Sequence, residues 1–350
     1  MKNAKRNILF VAQDAGGFNA IYPVYKSLKL ENPDSVTGIF GDVSRKLVKD
    51  SDVPFVDVTT MKRENLEELF NQKKPDVLVV GTSSGLSMDK LATAIATQRG
   101  IPSIAVIDYW SNYSLRFSDP DTKNLAYIPT KIAVIDDVCR DEMVAEGFDS
   151  ARIVVTGNPS FEKYADEVQQ STEEGIILFV SQPFSELIAD KSGIDYGYDE
   201  REVFQDVINA LQEIGVENEI VVKHHPRTKD FSVFDSIILG SSLSVSTDKE
   251  TPTDELVAQS VLVIGMCTMA LFEAALRGKK VLSYQPHLNN EDPLVGNRIG
   301  LTVPVYERTD LLQTVQRLLA SSEAPSNTAA RERYVYGRAT EKLVNLIQSL

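Results

Sequence analysis

At 350 residues the chain is long enough for two domains with sizeable cores, and its 43% hydrophobic and 25% charged content is that of a folded globular protein. A net charge of −14 would repel nucleic-acid phosphates over most of the surface, so nucleic acid is excluded as a partner; a basic membrane-docking face finds no support beyond a local patch, which leaves peripheral membrane association open. No apolar run approaches the ~20 residues that span a bilayer, and the apolar stretch 8–12 is too short for a signal segment. Two cysteines, Cys139 and Cys267, make no disulfide framework, which points to the cytoplasm.

Residues 7–13 (NILFVAQ) predict a strand running into Asp14-Ala15-Gly16-Gly17-Phe18-Asn19, then a helix to about residue 30. A glycine-rich turn after the first strand is common to doubly wound folds, but this one is not G-x-G-x-x-G, and no acidic residue follows at the ribose-reading distance. Neither a dinucleotide nor any other cofactor is expected. Asp14 has two readings, a helix-capping carboxylate and a general base. Strands are predicted at 36–40, 55–58, 77–80 and 103–107, with helices at 44–49, 63–71 and 87–99 between them. That rhythm implies a parallel sheet with right-handed crossovers. Ligands of such sheets sit beyond the carboxyl ends of the strands, here Asp14, Gly81-Thr82-Ser83-Ser84 and Asp108-Tyr109-Trp110.

The segment 108–117 (DYWSNYSLRF) gathers Trp110, Asn112, Tyr113 and Arg116 around Asp108. Aromatic and amide side chains suit sugars, since rings stack on apolar faces and amides bond hydroxyls. The other reading is a loop folded back on its own aromatics. A strand at 132–135, a helix at 137–146 and a strand at 153–156 close the first domain at Gly157-Asn158-Pro159, and polar residues 166–174 read as a hinge. The strand 176–180 then ends in Ser181-Gln182, and 191–198 has the composition of a loop before a helix at 200–215. The strand 219–222 delivers Lys223-His224-His225-Pro226-Arg227, a cationic spot of the kind an acidic protein needs to hold an anion. No metal is expected there: adjacent histidines on a strand face opposite ways and no Asp, Glu or Cys cluster completes a site. One histidine, His224, is assigned a structural role.

Residues 262–286 (LVIGMCTMALFEAALRGKKVLSYQP) read as strand, glycine turn, helix, glycine stop and strand. Gly265 ends the first strand, and Thr268 stands at the helix start with Cys267 before it, where unpaired amides and the helix dipole favour phosphate. Glu273 is the one charged residue of that helix, and a carboxylate there can take a ribose hydroxyl pair. The strands ending at Val222 and Ile264 are expected side by side. A polar loop at 287–298 and helices at 310–320 and 329–349 complete the chain.

Gly265, Thr268, Glu273, Gly278 and Gln285 fill the places of a G-x-x-T turn, an E-A-x-x-x-G helix and a glutamine loop. The segment therefore resembles the C-terminal domain of GT-B glycosyltransferases, and is similar to the lipid-linked N-acetylglucosaminyltransferase of peptidoglycan synthesis, with its glutamate placed further from the threonine. The first glycine turn looks like the acceptor loop of GT-B N-terminal domains, and Lys223–His225 with Pro226 resembles the K-x-H-P loop of capsule and sialyltransferase-like enzymes. Val155-Thr156-Gly157-Asn158-Pro159 resembles a segment shared by GT-B transferases and UDP-N-acetylglucosamine 2-epimerases.

The resemblance implies an α/β chain of GT-B type: two Rossmann-like domains with parallel sheets facing a central cleft. Its parts would be an acceptor-side domain at 1–165, a nucleotide-sugar domain at 166–328, and a C-terminal helix at 329–350 that crosses back to the first. The implied activity is metal-independent sugar transfer from a nucleotide-activated donor to a cell-envelope glycan or lipid-linked acceptor. Asp14 or Asp108 would be the catalytic base. Ser181, Gln182, Lys223, His225, Arg227, Gly265, Cys267, Thr268 and Glu273 would hold the nucleotide. Gly16, Gly17, Asn19, Trp110, Asn112, Tyr113, Arg116 and Gln285 would meet the sugar or acceptor. Residues 75–108 also resemble the 2-epimerases, which makes an epimerase or hydrolase the alternative, alongside a non-catalytic sugar-nucleotide-binding protein. Against the epimerase, Thr82 stands where that family has an acid, and Gly265–Met269 replaces its D-S-G-G-x-Q-E-E signature.

Overall fold

The computed structural model describes residues 6–41, 56–57, 62–83, 85–165, 175–189, 195–225, 228–322, 324 and 328–350. The expected helix at 44–49, the hinge at 166–174, Ser84 and Arg227 lie outside the described residues. Two units divide the chain, Met1–Lys163 with Tyr336–Leu350, and Tyr164–Val335. Among the described residues no helix is long and apolar enough to cross a membrane.

The first unit holds β1 (Ile8–Ala12), β2 (Val36–Phe40), β3 (Val56–Asp57), β4 (Val77–Val80), β5 (Ser103–Val106), β6 (Lys131–Val134) and β7 (Ile153–Val155). They form one sheet in the order 3-2-1-4-5-6-7, with every pairing parallel. Runs such as VLVV in β4 are buried along their whole length, as strands covered on both faces must be. The crossovers carry α1 (Ala15–Glu31), α2 (Arg63–Lys73), α3 (Met88–Gln98), α4 (Tyr113–Arg116) and α5 (Asp137–Ala145).

In the second unit β8 (Ile176–Val180), β9 (Ile220–Lys223), β10 (Val245–Asp248), β11 (Ser260–Gly265), β12 (Val281–Tyr284) and β13 (Val303–Val305) make a parallel sheet in the order 10-9-8-11-12-13. Its helices are α6 (Phe184–Ala189), α7 (Glu200–Ile214), α8 (Asp235–Gly240), α9 (Thr253–Gln259), α10 (Met269–Leu276), α11 (Val295–Arg298), α12 (Arg308–Ala320) and α13 (Thr328–Val335). This order corrects one expectation: β9 and β11 are not neighbours, because β8 lies between them, Val180 pairing with Lys223 on one side and Gly265 on the other. Composition marks both as buried strands, but strand order follows from winding, which places the first strand of each half at the centre.

Each sheet reverses its direction of winding once, between β1 and β4 and between β8 and β11. Loops part to opposite faces at these points, which is where ligands of doubly wound sheets bind. At the first point Gly17 and Gly81 touch backbone to backbone: a methyl on Gly81 would lie 2.7 Å from the Gly17 Cα, and one on Gly17 would lie 2.8 Å from the Thr82 nitrogen. At the second, a methyl on Gly265 would lie 2.9 Å from the Val180 carbonyl oxygen.

The last helix, α14 (Ala339–Ser349), belongs to the first unit. Its Leu343 and Ile347 join the core in which Phe18 and Tyr25 meet Phe40 edge-on at 5.0 and 5.2 Å. The Thr340 nitrogen and hydroxyl both donate to Glu162, fixing the start of the helix. Leu343→Ala should therefore destabilise the first unit by about 2–5 kcal/mol, the usual cost of emptying a buried leucine site. Urea unfolding measures it, and a loss below ~1 kcal/mol would show that the helix is not integral to this core.

Candidate functional site

At the first switch point Asp14 occupies the N-cap position of α1 in an extended conformation, but its side chain makes no capping hydrogen bond. The capping reading of Asp14 thus loses its geometric basis. Gly16 follows with no room for a side chain, since a methyl there would sit 1.9 Å from Asp108 Oδ2. The carboxylate of Asp108, at the end of β5, therefore lies directly over the glycine turn. Its Oδ1 accepts from Arg116 Nη1 at 2.5 Å and from Thr82 Oγ1 at 3.3 Å, and Arg116 Nη1 also reaches Thr82 Oγ1 at 2.7 Å. Arg116, expected to meet an acceptor, instead neutralises Asp108 in a largely buried ion pair. Asp108, one of the two candidate bases, is thus tied to a guanidinium. Gly17 is buried, and Asn19 is exposed one turn into α1.

The 108–117 segment divides in two. Trp110 is 6% exposed, donates its indole N–H to both oxygens of Asp136 at 3.0 Å, and stacks on Phe161. Tyr113 is buried and bonds Glu142. These two are corrections: they are internal posts that anchor the loop to α5, since indole and phenol groups need a polar partner wherever they are buried. Asn112 between them is exposed with a left-handed φ of 57°, a conformation asparagine tolerates. Lys90 holds the loop from beneath, its buried ammonium donating to the carbonyls of Leu115 and Ser118 at 2.8 and 2.7 Å.

Behind the glycine turn lies a carboxyl group that sequence reasoning missed. Asp89, in the first turn of α3, accepts from the Gln13 amide at 3.2 Å and from Ser83 Oγ at 2.5 Å, while Gln13 Oε1 accepts from the Met88 amide at 3.0 Å. Burial pushes Asp89 up to about 7, partly opposed by the hydrogen bond from Ser83 and reinforced by the negative charge of Asp14. Its sequence signal was slight: an aspartate just inside a serine-capped helix reads as an ordinary partner of the helix dipole.

At the second switch point the ends of β8, β9 and β11 bring together Ser181-Gln182, Lys223-His224-His225 and Met266-Cys267-Thr268. Thr268 caps α10, its Oγ1 accepting from the Ala270 amide at 3.4 Å. The Cys267 amide, expected to await a phosphate, donates to Gln182 Oε1 at 3.0 Å. Burial pushes the Cys267 thiol up to about 12, so it stays protonated. Ser181 is buried, with its amide on the Lys223 carbonyl. Lys223 corrects another expectation: its ammonium pairs with Asp248 of the adjacent edge strand at 3.1 Å, and Asp248 also accepts from Thr251.

His224 is 4% exposed, stacks on Phe234 and meets Phe231 edge-on, with neither ring nitrogen hydrogen-bonded. Burial, aided by Lys249 and Lys223, holds its titration below the usual imidazole range, so it is a neutral structural histidine as expected. His225 and Glu273 are half-buried. Gln285 is the clearest correction. It is 0% exposed, its Oε1 accepting from Tyr198 and its Nε2 donating to Ser283 and Asp292. Asp292 in turn accepts from Leu294, Asn297 and Tyr306, so Gln285 belongs to a network that fixes the 287–298 loop. Nothing local in the sequence distinguished that internal amide from an exposed one.

No family pattern matches the chain, and no curated protein matches it. Solved structures do match along nearly its whole length. The UDP-N-acetylglucosamine 2-epimerase of Neisseria meningitidis bound to UDP-N-acetylglucosamine superposes with a TM-score of 0.70 at 14% identity, covering 98% of this chain and 100% of the other. The glycotransferase of kitacinnamycin gives 0.61 at 11% identity with 99% of each chain covered. MurG of Acinetobacter baumannii gives 0.57 at 13% identity, covering 99% of this chain and 100% of its own. The architecture is thus of GT-B type, two Rossmann-like domains, and the likeness extends to the 2-epimerases that share it.

The packing of Asp108 over Gly16 is testable by a double-mutant cycle. Gly16→Ala should cost about 1–3 kcal/mol in denaturant unfolding, as overpacking does. In an Asp108→Gly background most of that cost should vanish, a coupling of at least ~1 kcal/mol. Strictly additive losses would mean that the turn meets some other obstacle.

Proposed function

We propose that the chain acts on nucleotide-activated sugars, and that it is a metal-independent glycosyltransferase with a glycan or lipid-linked acceptor. The observation that carries the nucleotide site is the second switch point. There the start of α10, the Gln182-capped amide of Cys267, and His225 come from three adjacent strand ends. Helix-start amides and a histidine are the groups that stabilise a phosphate or a leaving diphosphate. A phosphate oxygen would take the place of Gln182 Oε1 on the Cys267 amide, which keeps that donor satisfied in both states. Glu273 would bind ribose hydroxyls, and Arg227 would add its charge.

In the transfer step an acceptor hydroxyl attacks the anomeric carbon as the bond to the phosphate oxygen breaks. The nucleotide leaves with the electron pair, and the hydroxyl proton passes to the base. Asp14 takes that role in preference to Asp108, because Asp108 is held by Arg116 and Thr82. The space over Gly16 and Gly17 is taken by Asp108 and by the Gly81 backbone, so an acceptor would meet the exposed Asn19 and Asn112 instead of the turn's glycines. The cell envelope as the acceptor's origin and the cytoplasm as the site of action rest on the resemblance of the His-Pro loop and on the cysteine usage.

A 2-epimerase is the second reading, favoured by the higher TM-score of 0.70 against 0.57 for MurG. Against it, Thr82 is bonded to Asp108 and Arg116 where that family carries an acid, so the carboxyl group its proton chemistry would use there is missing. Incubation with UDP-N-acetylglucosamine alone in D2O separates the two. Deuterium appearing at C2 of the sugar establishes the epimerase; an intact C2 proton, with sugar released only to an added acceptor, establishes the transferase. His225→Ala should weaken UDP binding by calorimetry about ten- to a hundredfold, the cost of losing a charge-assisted hydrogen bond. Asp14→Asn should lower turnover by roughly 10²–10⁴ with UDP affinity unchanged. Unaltered UDP binding in both His225→Ala and Thr268→Ala would place the nucleotide elsewhere.

A further inference from the structure

Asp89 has no part in the reaction just described, yet it is 3% exposed and sits behind the turn that carries Asp14. Its side-chain partners are neutral: Ser83 Oγ on Oδ2, the Gln13 amide on Oδ1, and the nearby hydroxyl of Ser87. Among the described residues the charged groups that act on it are another acid, Asp14 at the head of α1, and more weakly the Lys90 ammonium. Lys90, the next residue of α3, turns its ammonium onto the carbonyls of Leu115 and Ser118. Arg116 on α4 is committed to Asp108 and Thr82. Around this group a clamp closes in both directions, since Gln13 gives its amide to Asp89 and takes the Met88 amide on its own side-chain oxygen.

We propose that Asp89 works as a neutral carboxylic acid, a positioning residue that fixes the turn at 13–17 and leaves the negative charge of the pair on Asp14. The second half of this rests on the reading of Asp14 as the base. Two neighbouring carboxyl groups resist a second negative charge, and the one removed from water keeps the proton. Protonated, Asp89 donates its O–H to Ser83 Oγ and accepts from Gln13 on the other oxygen, so each of its polar atoms remains paired. Burial and the proximity of Asp14 agree with this state, placing its titration at about 7. An asparagine at this position reproduces the same shape and the same donor–acceptor pattern, with Nδ2 towards Ser83 and Oδ1 towards Gln13. Ionisation above neutral pH would instead remove the donor to Ser83 and set a second charge beside Asp14.

Two measurements on the full chain test the proposal with Asp89→Asn and Asp89→Ala. The first is the urea unfolding midpoint across pH 4–8. The group titrates higher in the folded state than its ordinary value of about 3.9, so between about pH 4 and 7 the folded chain holds a proton that the unfolded chain has lost. Stability from this group is therefore present at acid pH and declines as pH rises through that window, which Asp89→Asn cannot reproduce. The midpoint difference between wild type and Asp89→Asn should shift steadily in favour of the variant as pH rises; a constant difference overturns the neutral acid.

The second is the pH profile of turnover. Wild type should show a falling limb near pH 7 that is missing in Asp89→Asn, whose neutral-pH turnover should stay within about threefold of wild type, whereas Asp89→Ala should lose about tenfold or more in kcat with UDP affinity unchanged. Equal damage from Asn and Ala overturns the positioning role. Asp14→Asn, measured beside them, separates the two readings. Full turnover in that variant removes Asp14 as base and with it the charge assignment, while the unfolding series still decides whether Asp89 holds its proton.

Discussion

The contact on which both candidate sites depend is the approach of one backbone to another at the point where each sheet changes its direction of winding. In the first unit Gly17 and Gly81 lie so close that a methyl on either would meet main-chain atoms at 2.7–2.8 Å. Gly265 stands in the same relation to the Val180 carbonyl in the second. Backbone atoms cannot swing aside as the end of a long side chain can, so a substituent at these places would push whole loops apart. What the glycines secure is proximity. They let the end of β4 sit against the start of α1, which sets Thr82 and Ser83 beside the turn bearing Asp14, and they let the end of β11 sit against β8, which lets Gln182 reach the Cys267 amide.

Charge is handled with similar economy. An acidic chain that binds an anion must keep its own carboxylates from opposing the ligand. Several conspicuous cations near the strand ends are nonetheless used internally: Arg116 on Asp108, Lys223 on Asp248, Lys90 on two carbonyl oxygens. Each pairing lowers the cost of burying a charge that would otherwise stand alone in a medium of low dielectric. On the proposed reading, main-chain amides and His225 would carry more of the anion binding than the formal charge of the Lys-His-His loop suggests. Such donors are set in place by the fold and need no reorganisation when charge develops on the leaving group.

Much of the architecture was legible in the sequence, because a buried parallel strand announces itself by a short apolar run and a crossover helix by its caps. Apolar runs such as Val77–Val80, and the Thr268 cap, stand as expected. Strand order was not legible, since β9 and β11 look alike as strings whether or not β8 separates them. Exposure was the other blind spot. Trp110 and Gln285 have side chains equally suited to a sugar or to an interior hydrogen bond, and only their partners, Asp136 and the Tyr198–Asp292 pair, tell which. Asp89 was missed for the opposite reason, a common residue in a common place whose burial comes from loops distant in the chain.

The two switch points share a geometry and differ in what they hold. The first collects carboxyl groups: Asp14 on the turn, Asp89 behind it, and Asp108 over Gly16. Three acids so near one another cannot all be ionised and unpaired without mutual repulsion, and the structure treats each differently. Asp108 has a guanidinium, Asp89 has burial and neutral donors, and Asp14 stands half-buried at the head of α1. On the reading proposed above, Asp14 is the one that takes a proton from an incoming hydroxyl. The second switch point collects donors instead, amides and a histidine at the start of a helix. On the proposed reading the first switch point would supply a proton acceptor and the second an anion-stabilising edge, two functions that displacement at a sugar phosphate requires. Each is built by the same device, a glycine where two strands' loops part.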